Sequence, residues 1–147
     1  MALIEYKKAG LKYERLQEME AGIELTGAEV KSLRAKQGSL EGSRIIVRGG
    51  EAYVVGMTIP PYQAGNNPKA YDAERSRRLL LKKHEIAALA DADSKKGLTI
   101  VPIEVYNKKS LLKVRVAIVR GKGKRDRRED IKKRDAQREV ERILKRT

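Results

Sequence analysis

Two consecutive runs of strand-forming residues constrain the fold of this chain more than any other feature. Residues 111–119 alternate with a period of two, as a half-buried strand does. The apolar face consists of Leu112, Val114, Val116 and Ile118, and the polar face carries Lys113 and Arg115. Residues 98–106 are rich in β-branched side chains and precede the turn sequence Asn107-Lys108-Lys109-Ser110. The two runs therefore predict a hairpin, in which Pro102 marks an edge or a bulge.

Further strand signals lie upstream of this hairpin. Ile45–Arg48 and Ala52–Ile59 flank Gly49-Gly50, which is typical of a hairpin closed by a two-residue turn. Shorter candidates are Tyr13–Gln17, Ile23–Leu25 and the apolar run Leu79-Leu80-Leu81, which we expect to be buried. Without the Leu79–Leu81 run, these segments give about six strands, at spacings that suit a small closed or partly open barrel. We predict a mainly β fold, a barrel of oligonucleotide-binding type with two or three flanking helices.

Two helices are predicted between the strands. Thr26-Gly27-Ala28-Glu29 has the form of a capping box, in which the Thr hydroxyl and the Glu carboxylate satisfy free backbone amides at the helix start. In this helix Val30 and Leu33 are expected to face inward, and Lys31 and Arg34 outward. The second helix is predicted from Lys82 to Ala92, with Ile86, Ala87 and Leu89 as its apolar residues. Turn-forming residues predict a loop between Pro60 and Ala73.

The excess of basic residues indicates a polyanionic partner. The chain has 34 Lys+Arg against 20 Asp+Glu, a formal net charge of +14. Nucleic acid is favoured over a membrane, because the sequence has no amphipathic membrane helix, lipidation signal or spanning segment. Residues 120–147 hold 13 Lys+Arg and 6 Asp+Glu but few large apolar side chains, so we expect them not to fold alone. We predict a barrel of residues 1–120 and a cationic tail of residues 121–147, disordered or conditionally helical, with the boundary near Arg120 to Lys124.

The sequence offers no convincing catalytic or metal-binding constellation. It has no cysteine and one histidine, so disulfides, thiolate metal sites and most zinc folds are excluded. His84 beside Glu85 lacks an accompanying nucleophile, and a surface histidine is the favoured interpretation. Asp126, Glu129 and Asp130 could form a nuclease-like metal site, but the surrounding arginines favour ion pairs. We predict a non-enzymatic protein without cofactor or metal. Acidic residues where a signal peptide would be apolar predict that it is cytoplasmic.

Basic side chains on the first helix and around Leu79–Leu81 are candidate contacts to an RNA backbone. With six Tyr and no Phe or Trp, recognition of shape and backbone is favoured over base stacking. The alternative for any such run is a set of solvated charges without a ligand. The candidates are Lys31, Arg34, Arg75, Arg77, Arg78, Lys82 and Lys83. Glu20 either pairs with a neighbouring cation, or orients RNA-contacting groups, or accepts a base N–H.

Four segments carry a resemblance to a known family. EAGIELTGAEVKSLR (20–34), RSRRLLLKKHEI (75–86), GLTIVPIEVY (97–106) and GKGKRDRRED (121–130) closely resemble the SmpB family, the SsrA-binding proteins of bacterial trans-translation. The resemblance implies an oligonucleotide-binding barrel that binds the tRNA-like domain of transfer-messenger RNA. It also implies delivery of that RNA, with elongation factor Tu, to ribosomes stalled without a codon in the decoding site. No catalysis is implied.

The resemblance also assigns roles to individual residues. Glu20 matches the family's acidic RNA-site position, and Leu80 and Lys82 fall in its leucine-rich RNA-contacting segment. The family's tail is disordered when free and helical in the empty mRNA channel of the small subunit. The tail residues expected to act on the ribosome are Lys122, Lys124, the element Asp126-Arg127-Arg128 near the decoding centre, and the apolar pair Ile143-Leu144.

The chain departs from the family pattern at a few positions. Gly10 and Leu11 stand where an aromatic residue and a histidine are common, which removes a stacking or phosphate contact. Lys82 replaces an Asn or His, and Arg127 replaces Lys. Two alternative functions remain open at this stage: a metal-dependent nuclease that uses the tail acids, and a structural ribosomal protein with a basic extension.

Overall fold

Seven strands and three helices make up the part of the chain that the structure, a computed structural model, describes: residues 2–62 and 71–121, together with residue 138. In chain order the elements are β1 (Ala2–Glu5), α1 (Ala9–Lys12), β2 (Tyr13–Ile23), α2 (Gly27–Arg34), β3 (Arg44–Arg48), β4 (Glu51–Val55), β5 (Arg77–Leu80), α3 (Lys83–Ser94), β6 (Leu98–Lys108) and β7 (Leu111–Gly121).

All seven strands belong to one antiparallel sheet with the order β1-β6-β7-β2-β5-β4-β3. Strand β3, at one edge, also lies in contact with β6 near the opposite edge, so the sheet curls towards a barrel. Buried apolar side chains from the strands and from all three helices form one continuous core. The predicted mainly β, oligonucleotide-binding-type fold is confirmed, with seven strands where about six were expected.

The two predicted hairpins are present, although the strand predicted at Ala52–Ile59 ends at Val55. Strands β6 and β7 pair from Leu98 opposite Arg120 to Lys108 opposite Leu111. The register of β6 against β7 shifts after Pro102, so the proline marks a bulge. Strand β6 is an inner strand, but its pairing with β1 ends at Glu104 and does not include Pro102. Strands β3 and β4 are joined by Gly49-Gly50, whose φ values of 57° and 77° are those of a tight hairpin turn that glycine adopts without strain.

The upstream strand predictions need correction. Tyr13–Gln17 and Ile23–Leu25 were expected as separate strands, but Tyr13–Ile23 is one strand of 11 residues, with a register shift between Arg15 and Gln17. Between the two predicted strands, Met19 and Ala21 alternate with the exposed Glu18 and Glu20, but the apolar side chains are too few and too small to give a strong strand signal. This segment is extended because its backbone pairs with β7 along its whole length. The short elements β1 and α1 were not predicted.

The strand expected at Leu79-Leu80-Leu81 begins earlier and is less buried than predicted. Strand β5 runs from Arg77 to Leu80. Leu79 is fully buried and Leu81 half-buried, whereas Leu80 is 47% exposed. The expectation of a buried apolar run is therefore wrong at Leu80, which points to the surface.

Both predicted helices are confirmed. At the start of α2 the Glu29 amide donates to Thr26 Oγ1 (3.2 Å) and the Thr26 amide donates to Glu29 Oε1 (2.9 Å), which completes the capping box. Leu33 of this helix is fully buried, while Lys31 and Arg34 are exposed as expected.

Helix α3 spans Lys83–Ser94, where residues 82–92 were predicted. Leu89 is buried and Ile86 half-buried, but Ala87 is exposed, contrary to expectation. His84 is exposed, in agreement with a surface role. Within residues 2–62 and 71–121, no helix is long and apolar enough to cross a membrane.

Candidate nucleic-acid interface

An open groove of about 590 Å³ lies where β2, β5, β7 and the start of α3 meet. Five of the predicted RNA-binding residues line it: Glu20, Arg78, Leu80, Lys82 and Lys83. Strand pairing explains the grouping, because Gly22 lies opposite Leu80 on one side and opposite Lys113 on the other. A Cβ atom at Gly22 would lie 3.1 Å from the Leu80 Cβ, so glycine here lets β2 and the Leu80 side chain approach closely.

Glu20 is held in place by two donors on β6. The Tyr106 hydroxyl donates to Glu20 Oε2, and Lys108 Nζ lies 3.0 Å from Oε1 and 3.3 Å from Oε2. The hydrogen bonds from Tyr106 and Lys108 hold the pKa of the Glu20 carboxyl below its usual value. One interpretation of Glu20 was an ion pair with a neighbouring cation, and this pair is present, with Lys108. The carboxylate also lines the groove, as a hydrogen-bond acceptor.

Arg77 is the clearest correction to the predicted interface. Its side chain is fully buried and its guanidinium contacts Glu29 Oε2 at 2.7 Å. The remaining guanidinium nitrogens donate to the backbone carbonyls of Met57, Ala73 and Arg75 at 2.8–3.0 Å. A fully buried guanidinium whose three nitrogens all donate hydrogen bonds within the protein cannot contact a phosphate, so the prediction that Arg77 binds RNA is wrong.

The neighbouring arginines are partly exposed but already paired. Arg75 binds the buried carboxylate of Glu29, with its Nε 3.1 Å from Oε2. Arg78 binds both Glu24 and Glu51, and these hydrogen bonds raise the pKa of its guanidinium. The run at residues 75–78 is therefore neither a free phosphate-binding patch nor a set of solvated charges, since each arginine has a carboxylate partner.

On the described surface, the cations without a carboxylate partner lie outside the run at residues 75–78, and three of them, Lys82, Lys83 and Lys113, line the groove. Within residues 2–62 and 71–121, Lys31, Lys82, Lys83, Lys109 and Lys113 form no ion pair. Arg34 donates to the Ser110 carbonyl (2.9 Å), which places the end of α2 beside the β6–β7 turn. These side chains are therefore more available to contact phosphates than Arg75 or Arg78, whose charges are already paired.

Sequence reasoning missed three residues of this site. Lys113 lines the groove, and Tyr106 and Lys108 bind Glu20. The alternation of residues 111–119 did put Lys113 on the polar face of its strand. Only the pairing of β7 with β2 shows that this face adjoins the groove.

The remaining predictions fall outside the described residues. They concern Lys122, Lys124, Asp126, Arg127, Arg128, Ile143 and Leu144, together with the acidic trio Asp126, Glu129 and Asp130. Among the residues that are described, no cluster of three or more His, Cys, Asp or Glu side chains could hold a metal ion.

Comparison with known proteins gives consistent matches over almost the whole chain. The family model described as SmpB protein matches residues 3–146. An SsrA-binding protein from Pelotomaculum thermopropionicum is 44% identical over 141 residues, which cover 96% of this chain and 92% of the relative. One from Oleidesulfovibrio alaskensis is 46% identical, with 95% and 90% covered. One from Thermosipho africanus is 45% identical, with 95% and 94% covered.

A solved structure has a similar fold. It is described as "tmRNA-SmpB: a journey to the center of the bacterial ribosome", and one of its chains superimposes with a TM-score of 0.69 at 39% sequence identity. The match covers 86% of this chain and 92% of the other.

Proposed function

The chain belongs to the SmpB family, and on that basis we propose that it binds the tRNA-like domain of transfer-messenger RNA and brings it to stalled ribosomes for trans-translation. The observation that carries this proposal is the groove at Glu20 and Leu80. It combines an ionised acceptor, an exposed leucine and unpaired lysines at one place on the barrel. Such a surface offers N–H recognition, apolar contact and phosphate contact together.

We further propose a division of labour along the chain. The barrel, residues 1–120, selects the RNA, whereas the cationic segment of residues 121–147 inspects the empty decoding centre and mRNA channel of the small subunit. Lys122, Lys124, Asp126, Arg127, Arg128, Ile143 and Leu144 are the proposed ribosome contacts. Elongation factor Tu accompanies the protein through the RNA complex. The protein acts in the cytoplasm and catalyses no reaction itself.

The test of this function is recovery of RNA with the tagged protein from bacterial cells. The wild-type protein should enrich transfer-messenger RNA over bulk tRNA. Glu20→Ala combined with Leu80→Ala should reduce that enrichment by about ten- to a hundred-fold, the usual effect of losing one specific base contact or two weaker ones. The double substitution removes the groove's acceptor and its exposed apolar side chain together.

Strand β2 itself offers a matched control. Glu14→Ala combined with Leu16→Ala removes the same two side-chain types from exposed positions that do not line the groove. This variant should retain wild-type enrichment. Equal losses in the two double variants, or no enrichment by the wild-type protein, would refute the proposed function of the groove.

The unpaired lysines of the groove should set the salt dependence of RNA binding. Changing Lys82, Lys83 and Lys113 to Gln is expected to reduce the slope of log affinity against log salt by about 3, because each phosphate contact contributes about 1. Titrations of transfer-messenger RNA at several salt concentrations measure this slope. Lys95→Gln with Lys96→Gln, beyond the far end of α3, should leave the slope unchanged. A slope that stays at the wild-type value in the triple variant would remove these lysines from the phosphate contacts.

A further inference from the structure

A polar network on the outer face of β6, β7 and β2 supports Glu20 from outside the groove. Glu104, Arg115 and Glu20 occupy one row across these three strands, since Arg115 is the register partner of both acids. Arg115 Nε lies 3.0 Å from Glu104 Oε1, and the Arg115 guanidinium lies 5.4 Å from the centre of the Tyr106 ring. The Tyr106 hydroxyl in turn donates to Glu20. The contacts form a chain from Glu104 to the groove.

The members of this chain differ in their access to the groove. Glu20 lines it, whereas Tyr106, Arg115 and Glu104 do not. Tyr106 is half-buried, and the Arg115 guanidinium lies over its ring, which restricts the directions from which its hydroxyl reaches Glu20. We propose that Tyr106, held by Arg115, is a positioning residue that fixes the Glu20 carboxylate as an acceptor for an N–H donor on an unpaired base of the bound RNA.

The partner of the Glu20 carboxylate must be a hydrogen-bond donor. An ionised carboxylate only accepts hydrogen bonds, and each of its oxygens can accept more than one. Tyr106 and Lys108, which do not line the groove, occupy part of this capacity, and Glu20 itself lines the groove, where an incoming donor can reach it. A phosphate, which is itself an anionic acceptor, cannot be that donor, whereas the imino and amino groups of unpaired bases can.

The pKa shifts of Tyr106 and Glu20 agree with this geometry. Burial and the hydrogen bond to Glu20 raise the pKa of Tyr106 to about 12, so the phenol remains a donor throughout the neutral range. The Glu20 pKa is lowered first by the Tyr106 hydrogen bond and then by the Lys108 hydrogen bond. The other charged groups on the facing strands are Lys113 and Arg115 of β7, Glu18 of β2 and Glu104 of β6.

This inference rests on the proposed function and predicts the effect of one hydroxyl group. Tyr106→Phe keeps the ring above Arg115 but removes the hydrogen bond to Glu20. It should weaken binding of a transfer-messenger RNA transcript by about ten-fold, the effect of losing one charge-assisted hydrogen bond. In a Glu20→Ala background the same substitution should cost almost nothing, because the group that it positions is gone.

The pH profile separates positioning from a merely structural role. RNA binding through ionised Glu20 weakens as the pH falls through the pKa of that group. Without the Tyr106 hydroxyl this pKa rises, so the loss should begin at higher pH in Tyr106→Phe. The ratio of wild-type to variant affinity should therefore grow as the pH is lowered from about 7 to about 4. Protonation of the RNA itself affects both proteins equally.

Tyr71→Phe is the matched control. The Tyr71 hydroxyl donates to the Ile59 carbonyl (2.7 Å), away from the groove, and its loss should leave RNA affinity unchanged. A pH-independent ratio, or an equal loss from Tyr106→Phe in the Glu20→Ala background, would overturn the positioning role. Wild-type affinity in Tyr106→Phe would overturn it while leaving the proposed function intact. Failure of the wild-type protein to bind the transcript would overturn both.

Discussion

Replacing Arg77 with methionine is expected to lower the free energy of unfolding by about 3–5 kcal/mol, the usual consequence of removing one partner of a buried ion pair. Glu29 is 1% exposed and would keep only Arg75 as a charged partner. The Met57 and Ala73 carbonyls would also lose their guanidinium donors. Methionine fills most of the space but offers no donor, so the buried Glu29 carboxylate loses one of its two cations and the two carbonyls lose their hydrogen bonds.

Urea denaturation of the full-length protein measures this effect, and the adjacent residue provides its control. Arg78→Met removes an arginine from the same strand, but Arg78 and its partners Glu24 and Glu51 are all substantially exposed. Water can replace those contacts, so the unfolding midpoint of Arg78→Met should stay near that of the wild type. If both variants unfold at the same urea concentration, the buried network does not stabilise the fold in the way its geometry indicates.

Truncation after Gly121 is expected to abolish tagging of stalled peptides while changing the affinity for transfer-messenger RNA by no more than a few-fold. Strand β7 ends at Gly121, which pairs with Tyr13, so removal of residues 122–147 leaves every strand of the sheet in place. The groove is formed by residues between 20 and 113 and should retain its contacts. The removed segment carries nearly half of the net charge of +14, so a moderate loss of non-specific attraction is expected.

A variant with a scrambled tail tests whether tagging depends on the net charge of residues 122–147 or on the order of their side chains. If residues 122–147 are replaced by the same amino acids in a different order, the charge is retained, while Asp126-Arg127-Arg128 and Ile143-Leu144 are dispersed. RNA binding should match the wild type, and tagging in a reconstituted translation system should still be lost. Restored tagging with the scrambled tail would mean that charge alone suffices. Loss of RNA binding on truncation would contradict the division of labour between barrel and tail.

Local patterns in the sequence predicted the elements whose signals lie within a few residues. The alternation at residues 111–119, the Gly49-Gly50 turn and the capping box at Thr26 and Glu29 each depend on neighbours along the chain, and each is found in the structure. The four family-like segments also indicated the barrel fold. Strand β1 and the middle of β2 were missed because their conformation depends on pairing with β6 and β7, while β1 is only four residues long and the apolar positions in the middle of β2 are few.

The predicted site likewise shows that local sequence patterns do not reveal contacts between residues far apart in the chain. The sequence by itself determined the fold class, the excess of positive charge and the candidate roles of Glu20, Leu80 and Lys82. Only the tertiary structure decided which charges are available. In the folded chain Arg77 is buried against Glu29, which is 48 residues away in the sequence. Tyr106 contacts Glu20, which is 86 residues away. The physical reason is that periodicity along a strand specifies which face a side chain occupies. Whether a charge on that face is desolvated, paired or free depends on the partner that the sheet brings next to it.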